Sequence, residues 1–235
     1  MFATLFILAG DIPQLPDSLD RLVAVSPTVI YDNQGRTLFN LGGKDYIPLD
    51  RVSPYFKWAI IAAEDKNFYR HHGVDKLAMM RSIIVGLTSD KRIAGGSTIT
   101  QQLAKNLFFT FERDIMRKLK ELLVAVQIEA SFSKAEILEA YVNQIPFGSR
   151  AYGVEQGAQT FFGIPASELS LAQAALLAGL PNSPTRYNPY LHPDNARQRQ
   201  MVILRLMEKN GFIKEEAMQE AAEDSLVFQS SLSAY

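Results

Sequence analysis

Cysteine is absent from the 235-residue chain. That removes disulfides and thiolate metal sites, and leaves the redox compartment open. Histidine is scarce: His71, His72 and His192 are the only three, too few and too clustered for a zinc site. Charge of one sign is missing too. The 24 basic and 25 acidic residues leave a net charge of -1, which argues against a general nucleic-acid binder. Any basic site must therefore be local. No long hydrophobic run is present at the start. Met1 to Gly10 is apolar but far short of the roughly 20 residues that span a bilayer. It reads as the remnant of a membrane anchor or the hydrophobic part of a signal, against the alternative of a few apolar residues packing on a core.

What is present is the composition of a globular protein, 47% hydrophobic and 21% charged, with length for one sizeable core or two small ones. Residues 11–26 hold Pro13, Pro16 and several Asp, and read as a linker. The segment 28–39 alternates and turns at Asp32–Gly35, which predicts a β-hairpin. Everything later has helical period. Ser53-Pro54 starts a helix that runs to about Asp65, and another covers about 75–87. The stretch 88–96 is polar and carries two glycines, which predicts mobility. Thr98-x-x-Gln101 fits a capping box for the next helix. A long helix is expected over 113–130, with Leu119, Leu122, Leu123 and Val126 on its apolar side. Ser133-x-x-Glu136 caps a helix ending near Gln144. Further helices are expected at 151–162, 168–180, 194–209 and 214–224. The expected class is mainly α with one small N-terminal hairpin.

Two carboxylates stand out. Glu64 lies in A-A-E-D-K-N-F-Y-R-H-H-G and Glu121 in R-K-L-K-E, with G-G-S-T-I-T-Q-Q-L-A-K-N between them. Negative charge at a helix C-terminus, where Glu64 and Asp65 fall, opposes the helix dipole and so favours a functional over a merely solvated end. Beside Phe68, such a glutamate can act as a base near neutral pH. The Gly-Gly turn into a Ser/Thr-capped helix is a natural anion site, and it lacks the ending of a nucleotide-binding loop. Arg113, Arg117 and Glu121 fall at i, i+4 and i+8 with Lys118 adjacent. They form either an ordinary salt-bridge ladder or a cationic wall. Phe108, Phe109 and Phe111 beside these cations suit a membrane interface as well as a core. Two carboxylates with a basic, hydroxyl-rich segment suit glycosyl transfer from a phosphate leaving group. One carboxylate takes the proton and the cations hold the departing charge.

Read together, these segments resemble the peptidoglycan glycosyltransferase family, the glycosyltransferase domain of class A penicillin-binding proteins and monofunctional murein polymerases. Five blocks match in order over about residues 50–210. They are Glu64, Asp65, Phe68, His71 and Gly73; then Gly95, Ser97, Thr98, Gln101, Gln102, Lys105 and Asn106; then Arg117, Lys118 and Glu121; then Lys134, Ile137, Leu138, Glu139, Tyr141, Asn143 and Gly148, with Val142 for Leu; and a weaker last block with Arg199 and Val202. There Gln198 and Ile203 replace the family's Arg and Leu.

The resemblance implies a lysozyme-like, two-lobed helical domain with a head and a membrane-dipping jaw. It divides the chain into an anchor remnant and linker (1–26), a glycosyltransferase domain (27–224) and a tail leading to a further domain (225–235). It implies lipid II and a growing glycan strand as substrates, joined with inversion into β-1,4-linked strands as undecaprenyl pyrophosphate leaves. Glu64 is the expected base. Asp65, Ser97, Thr98, Gln102, Lys105, Asn106, Arg113, Arg117 and Lys118 are the expected contacts to substrate and pyrophosphate. Glu121 orients those cations, or holds a divalent cation such as Mg2+; no cofactor is obligatory. Phe68, His71, Gly73, Glu139, Tyr141, Asn143 and Arg199 are expected to be structural support. Partners are membrane lipid, through the N-terminal segment and the jaw, and phosphoglycolipid inhibitors such as moenomycin, with no nucleic acid. The expected location is the outer face of a bacterial cytoplasmic membrane. A lysozyme-like muramidase would share the glutamate without needing the cations, and a non-catalytic polyprenyl-phosphate scaffold would need the cations without the glutamate.

Overall fold

The computed structural model describes residues 13–24, 28–34, 36–41, 45–88, 96–109 and 115–230. The apolar start, Gly35, the polar stretch 89–95, Phe111, Arg113 and the last five residues lie outside the described residues. The chain is mainly α-helical, as expected, and divides into two compact units: 1–19 with 64–141, and 20–63 with 142–235.

The larger unit begins inside the segment read as linker. A short helix, α1 (Asp20–Val23), buries Val23. The hairpin follows, β1 (Thr28–Tyr31) paired antiparallel with β2 (Thr37–Leu41), Ile30 opposite Phe39. Asp32 holds the turn, accepting from the Gln34 and Arg36 amides at 2.9 and 2.8 Å, which is the turn chemistry its short carboxylate favours. Helix α2 (Pro54–Glu64) starts with Pro at its first position and buries Phe56, Ala59 and Ile60. The Ser53 hydroxyl, expected as the cap, donates to the Leu169 carbonyl at 2.9 Å.

A second two-stranded sheet was not legible in the sequence. β3 (Pro146–Gly148) pairs with β4 (Ala151–Tyr152) around a two-residue turn in which Ser149 and Arg150 both have positive φ, 49° and 61°. A primed turn of this kind normally announces itself with Asn or Gly; Ser-Arg carries no such signal. The helix expected from 151 therefore starts later, as α7 (Val154–Phe162). Helix α8 (Leu171–Gly179) is buried almost all round, which its sequence of Ala and Leu with one Gln and a final Gly permits. Ser170 and Gln173 close a full capping box at its start. It packs on α9 (Pro193–Lys209), whose Ile203, Leu204 and Met207 are buried, and α10 (Glu215–Glu223) closes the unit. Asn143 ties the loop before α2 to this core. Its Oδ1 accepts from the Ile47 amide and its Nδ2 donates to the Ile47 carbonyl, at 2.9 and 2.8 Å. Phe228 stacks on Phe162 and the Gln229 amide donates to the Phe161 carbonyl, so residues 225–230 pack on this unit.

The smaller unit holds the end of α2, a 3-10 turn (Phe68–Arg70), α3 (Lys76–Thr88), α4 (Ile99–Phe108), α5 (Ile115–Ser131) and most of α6 (Lys134–Gln144). Helix α5 corrects one reading. Leu119 and Val126, expected to face the core, are 40% and 48% exposed, while Glu121, Val124, Ala125 and Ile128 are buried. At Ala125 the packing is close: Gly73 lies against the Ala125 backbone, which puts the 121–124–125–128 face rather than the 119–126 face inward.

Candidate active site

Glu64 is the last residue of α2. The Gln102 amide Nε2 donates to its Oε2 at 2.8 Å, and the buried Tyr141 hydroxyl donates to Gln102 Oε1 at 3.1 Å. Burial first, then the charges of Glu64 and Asp65, push the Tyr141 phenol well above its ordinary range. It is therefore a permanent donor.

Asp65 turns the other way. Its carboxylate accepts from His71 Nε2 at 2.8 Å and from the Ile99 amide, the first helical N–H of α4, at 3.1 Å. It is 7% exposed. The carboxylate expected to touch substrate is thus occupied in holding the N-terminus of α4, where a negative charge complements the dipole. Thr98 also turns inward. Its hydroxyl donates to the Gly73 carbonyl at 2.7 Å while accepting from the Gln101 amide at 3.2 Å. The expected capping box is half formed, because Gln101 Nε2 reaches the Gly73 carbonyl at 3.3 Å. Phe68, His71 and Gly73 thus lock the turn after Glu64 onto the start of α4.

Helix α5 carries Arg117 and Lys118, and Lys118 meets the start of α4. Ser97, just before α4, accepts from Lys118 Nζ at 2.8 Å, and Lys118 Nζ also lies 3.2 Å from Glu121 Oε2. Arg117 Nη1 is 3.1 Å from Glu121 Oε1. That contact is ionic rather than an aligned hydrogen bond, since Glu121 Oε1 and Arg117 Nε are both buried without a hydrogen-bond partner. Two cations against one buried carboxylate leave one positive charge in surplus. The under-satisfied buried atoms mark the place as more than a surface ladder. Lys105 is exposed, one turn beyond Gln102 on α4, and Asn106 follows it. Ser97 precedes the Thr98 cap of α4 and Gln102 lies in the helix's first turn. The start of α4 therefore bears both the Glu64 contact and the Lys118 contact.

A divalent cation does not fit Glu121. Both carboxylate oxygens face cations, and among the described residues no group of three His, Asp or Glu could hold a metal ion.

Sequence reasoning missed a third set. Glu129 Oε1 accepts from Thr100 at 2.6 Å and from Lys134 Nζ at 2.7 Å, and Lys134 lies over the Phe68 ring at 4.4 Å from its centroid. This cluster clamps α4, α5 and α6 around the Phe68 turn. Lys134 and Phe68 stood in the matched blocks without a partner assigned to them, and Glu129 and Thr100 were not singled out at all. Glu139 and Asn143 lie on α6, Asn143 in the larger unit. Arg199 there packs on Tyr187 and donates to the Gly179 carbonyl at 3.4 Å.

Against known proteins, a sequence profile described as Transglycosylase matches residues 34–208. The chain belongs to the transglycosylase family. It is 44% identical over 213 residues to penicillin-binding protein 1A of Aquifex aeolicus, covering 90% of this chain and 29% of that protein. It is 41% identical over 218 residues to penicillin-binding protein 1A of Escherichia coli K12, covering 91% and 26%. A crystal structure of penicillin-binding protein 1A from Haemophilus influenzae matches with a TM-score of 0.49 at 24% identity, over 86% of this chain and 21% of that one. The chain thus spans between a quarter and a third of the length of these curated relatives. Within the transglycosylase domain, four of the five blocks that carried the resemblance fall inside or across the smaller unit.

Proposed function

We propose that the domain is an inverting peptidoglycan glycosyltransferase. It polymerises lipid II by transferring the growing strand from its undecaprenyl pyrophosphate to the 4-hydroxyl of the next lipid II. Glu64 removes the proton of that hydroxyl. The oxygen attacks the anomeric carbon opposite the leaving group, the carbon–oxygen bond to the pyrophosphate breaks, and the α-linked donor becomes a β-1,4 linkage. A hydrolase acting on a glycosidic bond needs an acid for the departing sugar. A pyrophosphate departs as an anion, so cations take the acid's place. Lys105, Arg113, Arg117 and Lys118 hold that charge, with Ser97, Gln102 and Asn106 bonding donor oxygens. Glu121 orients Arg117 and Lys118. Asp65 and Thr98 support the start of α4, which carries Gln102, Lys105 and Asn106.

The observation that supports this reading best is the start of helix α4 holding both Glu64, through Gln102, and Lys118, through Ser97. A muramidase has no use for the second contact and a scaffold has none for the first.

The smaller unit also shows outward apolar side chains, Leu77, Met80 and Ile84 on α3 with Met116, Leu119 and Val126 on α5. Leu77, Met79 and Val126 line an open pocket of about 830 Å³ together with Arg70, His72 and Lys76. Apolar side chains flanked by cations suit the headgroup boundary of a membrane, so this unit is the one that dips into lipid, on the outer face of the cytoplasmic membrane. No described helix is long and apolar enough to cross a membrane. A phosphoglycolipid that mimics the donor strand would compete at the Lys105 and Lys118 positions.

The test is polymer formation from labelled lipid II. Glu64→Gln should lower the rate by at least about a hundredfold, the scale of a lost general base, while preformed glycan is left uncut. Near-normal polymerisation by Glu64→Gln would remove the base assignment. Shortening of preformed glycan would favour the muramidase reading.

A further inference from the structure

Tyr141 is fully buried and among the largest side chains to be so. A buried phenol is costly unless its hydroxyl is bonded. Here the hydroxyl donates to Gln102 Oε1 at 3.1 Å, and Gln102 Nε2 donates to Glu64 Oε2 at 2.8 Å. The two ends of a primary amide are alike in size and opposite in chemistry. Turned over, Gln102 would set its oxygen against the Glu64 carboxylate and its NH2 against Tyr141. The O–H of Tyr141 makes the observed orientation the one that satisfies both contacts.

We propose that Tyr141 is a positioning residue for the general base: through Gln102 it fixes an N–H on Glu64, keeping that carboxylate ionised and aimed for proton removal. The inference rests on the reading of Glu64 as the base. A hydrogen bond to the charged form of a carboxylate favours that form. Losing that N–H shifts the balance towards the neutral form, which cannot accept a proton, with Asp65 as a second carboxylate next in the chain. Among the titratable groups near Glu64 are Asp65, next in the chain, and Tyr141 on α6. Asp65 is already paired with His71. Tyr141 stays protonated, since burial and the two neighbouring carboxylates both resist its ionisation. Gln102 is therefore the adjustable contact and Tyr141 the group that sets it.

The test is the pH dependence of lipid II polymerisation by Tyr141→Phe, which keeps the ring and removes the hydroxyl. The expected result is a fall in kcat of about tenfold on the acid side of the profile, shrinking as pH rises towards neutral, with KM within about twofold. The acid limb should move up by about one pH unit, so that the rates converge with wild type in alkali. Gln102→Met, which severs the same N–H while leaving Tyr141 in place, should show the same displaced limb. Tyr141→Phe added to Gln102→Met should cost nothing more. A loss equal at every pH, an additive double variant, or a Gln102→Met acid limb at the wild-type position would each overturn the relay, the last even if Tyr141→Phe folds too poorly to assay. Activity retained by Glu64→Gln would instead overturn the base reading on which the relay stands.

Discussion

Gly73 shows how much one position can carry. Its φ is +82°, and a Cβ there would lie 2.9 Å from the Ala125 carbonyl oxygen. Its own carbonyl receives both Thr98 and Gln101. Alanine would combine a left-handed backbone cost of about 1–2 kcal/mol with a backbone clash that no side chain can relieve by moving. Gly73→Ala should therefore lose about 3 kcal/mol or more, which is exceptional for a single methyl, and it should lower the urea midpoint accordingly. A midpoint within error of wild type would mean that α5 is free to shift away. The sequence marked Gly73 but not its reason, because the reason is a helix some fifty residues later. Asp65 is the converse. Its neighbour Glu64 and its place in the motif made it a substrate contact on paper, yet adjacency in the chain does not say which way a side chain turns. The partners that turn it inward, His71 and the Ile99 amide, are brought there by folding.

At the scale of elements, caps were the most legible feature. Ser133 and Glu136 form the reciprocal box that the spacing announces: the Glu136 amide donates to Ser133 Oγ at 3.3 Å and the Ser133 amide to Glu136 Oε2 at 2.8 Å. The Ser133 hydroxyl, then its amide, hold the Glu136 carboxyl below its ordinary range, against a small opposing effect of burial. A carboxyl depressed on folding stabilises the fold above the ordinary carboxylate pKa. That contribution is lost as pH falls through the lower folded value. Ser133→Ala should cost about 1 kcal/mol near neutral pH, the worth of a helix cap, and the gap to wild type should narrow in acid as Glu136 protonates. Urea denaturation at the two pH values measures it; a gap independent of pH would assign the cost to the hydroxyl alone. Helix α5 was less legible because hydrophobic period reports that a face is apolar, not what it faces. Leu119 and Val126 satisfied the period but their side chains are exposed, whereas Ala125, whose backbone lies against Gly73, and Val124 are fully buried. The β3–β4 hairpin was illegible for a different reason: Ser149 and Arg150 are held in positive φ by what surrounds them, with Asn188 Nδ2 donating to Ser149 Oγ at 3.1 Å.

Over the whole molecule, the chemistry-bearing blocks gather in the smaller unit, while the larger unit is built on the nearly all-apolar α8 and its neighbours. The smaller unit buries less and shows more. Leu77, Met80 and Ile84 on α3 are 69%, 57% and 56% exposed and fall at i, i+3 and i+7, one stripe of a helix. A stripe more than half exposed in its own unit contributes little to folding. Leu77→Gln with Met80→Gln should therefore leave the urea midpoint within the scatter of ordinary surface changes, about 0.5 kcal/mol. If the stripe enters lipid, the same pair removes two apolar side chains from the membrane, each worth at least about 1.5 kcal/mol when fully buried. Together that is about 3 kcal/mol, or about a hundredfold in vesicle affinity. Flotation of the protein with liposomes reads this directly. Wild-type flotation by the double variant would show that the stripe does not enter the bilayer, whereas a large fall in the urea midpoint would show that it is packed against protein.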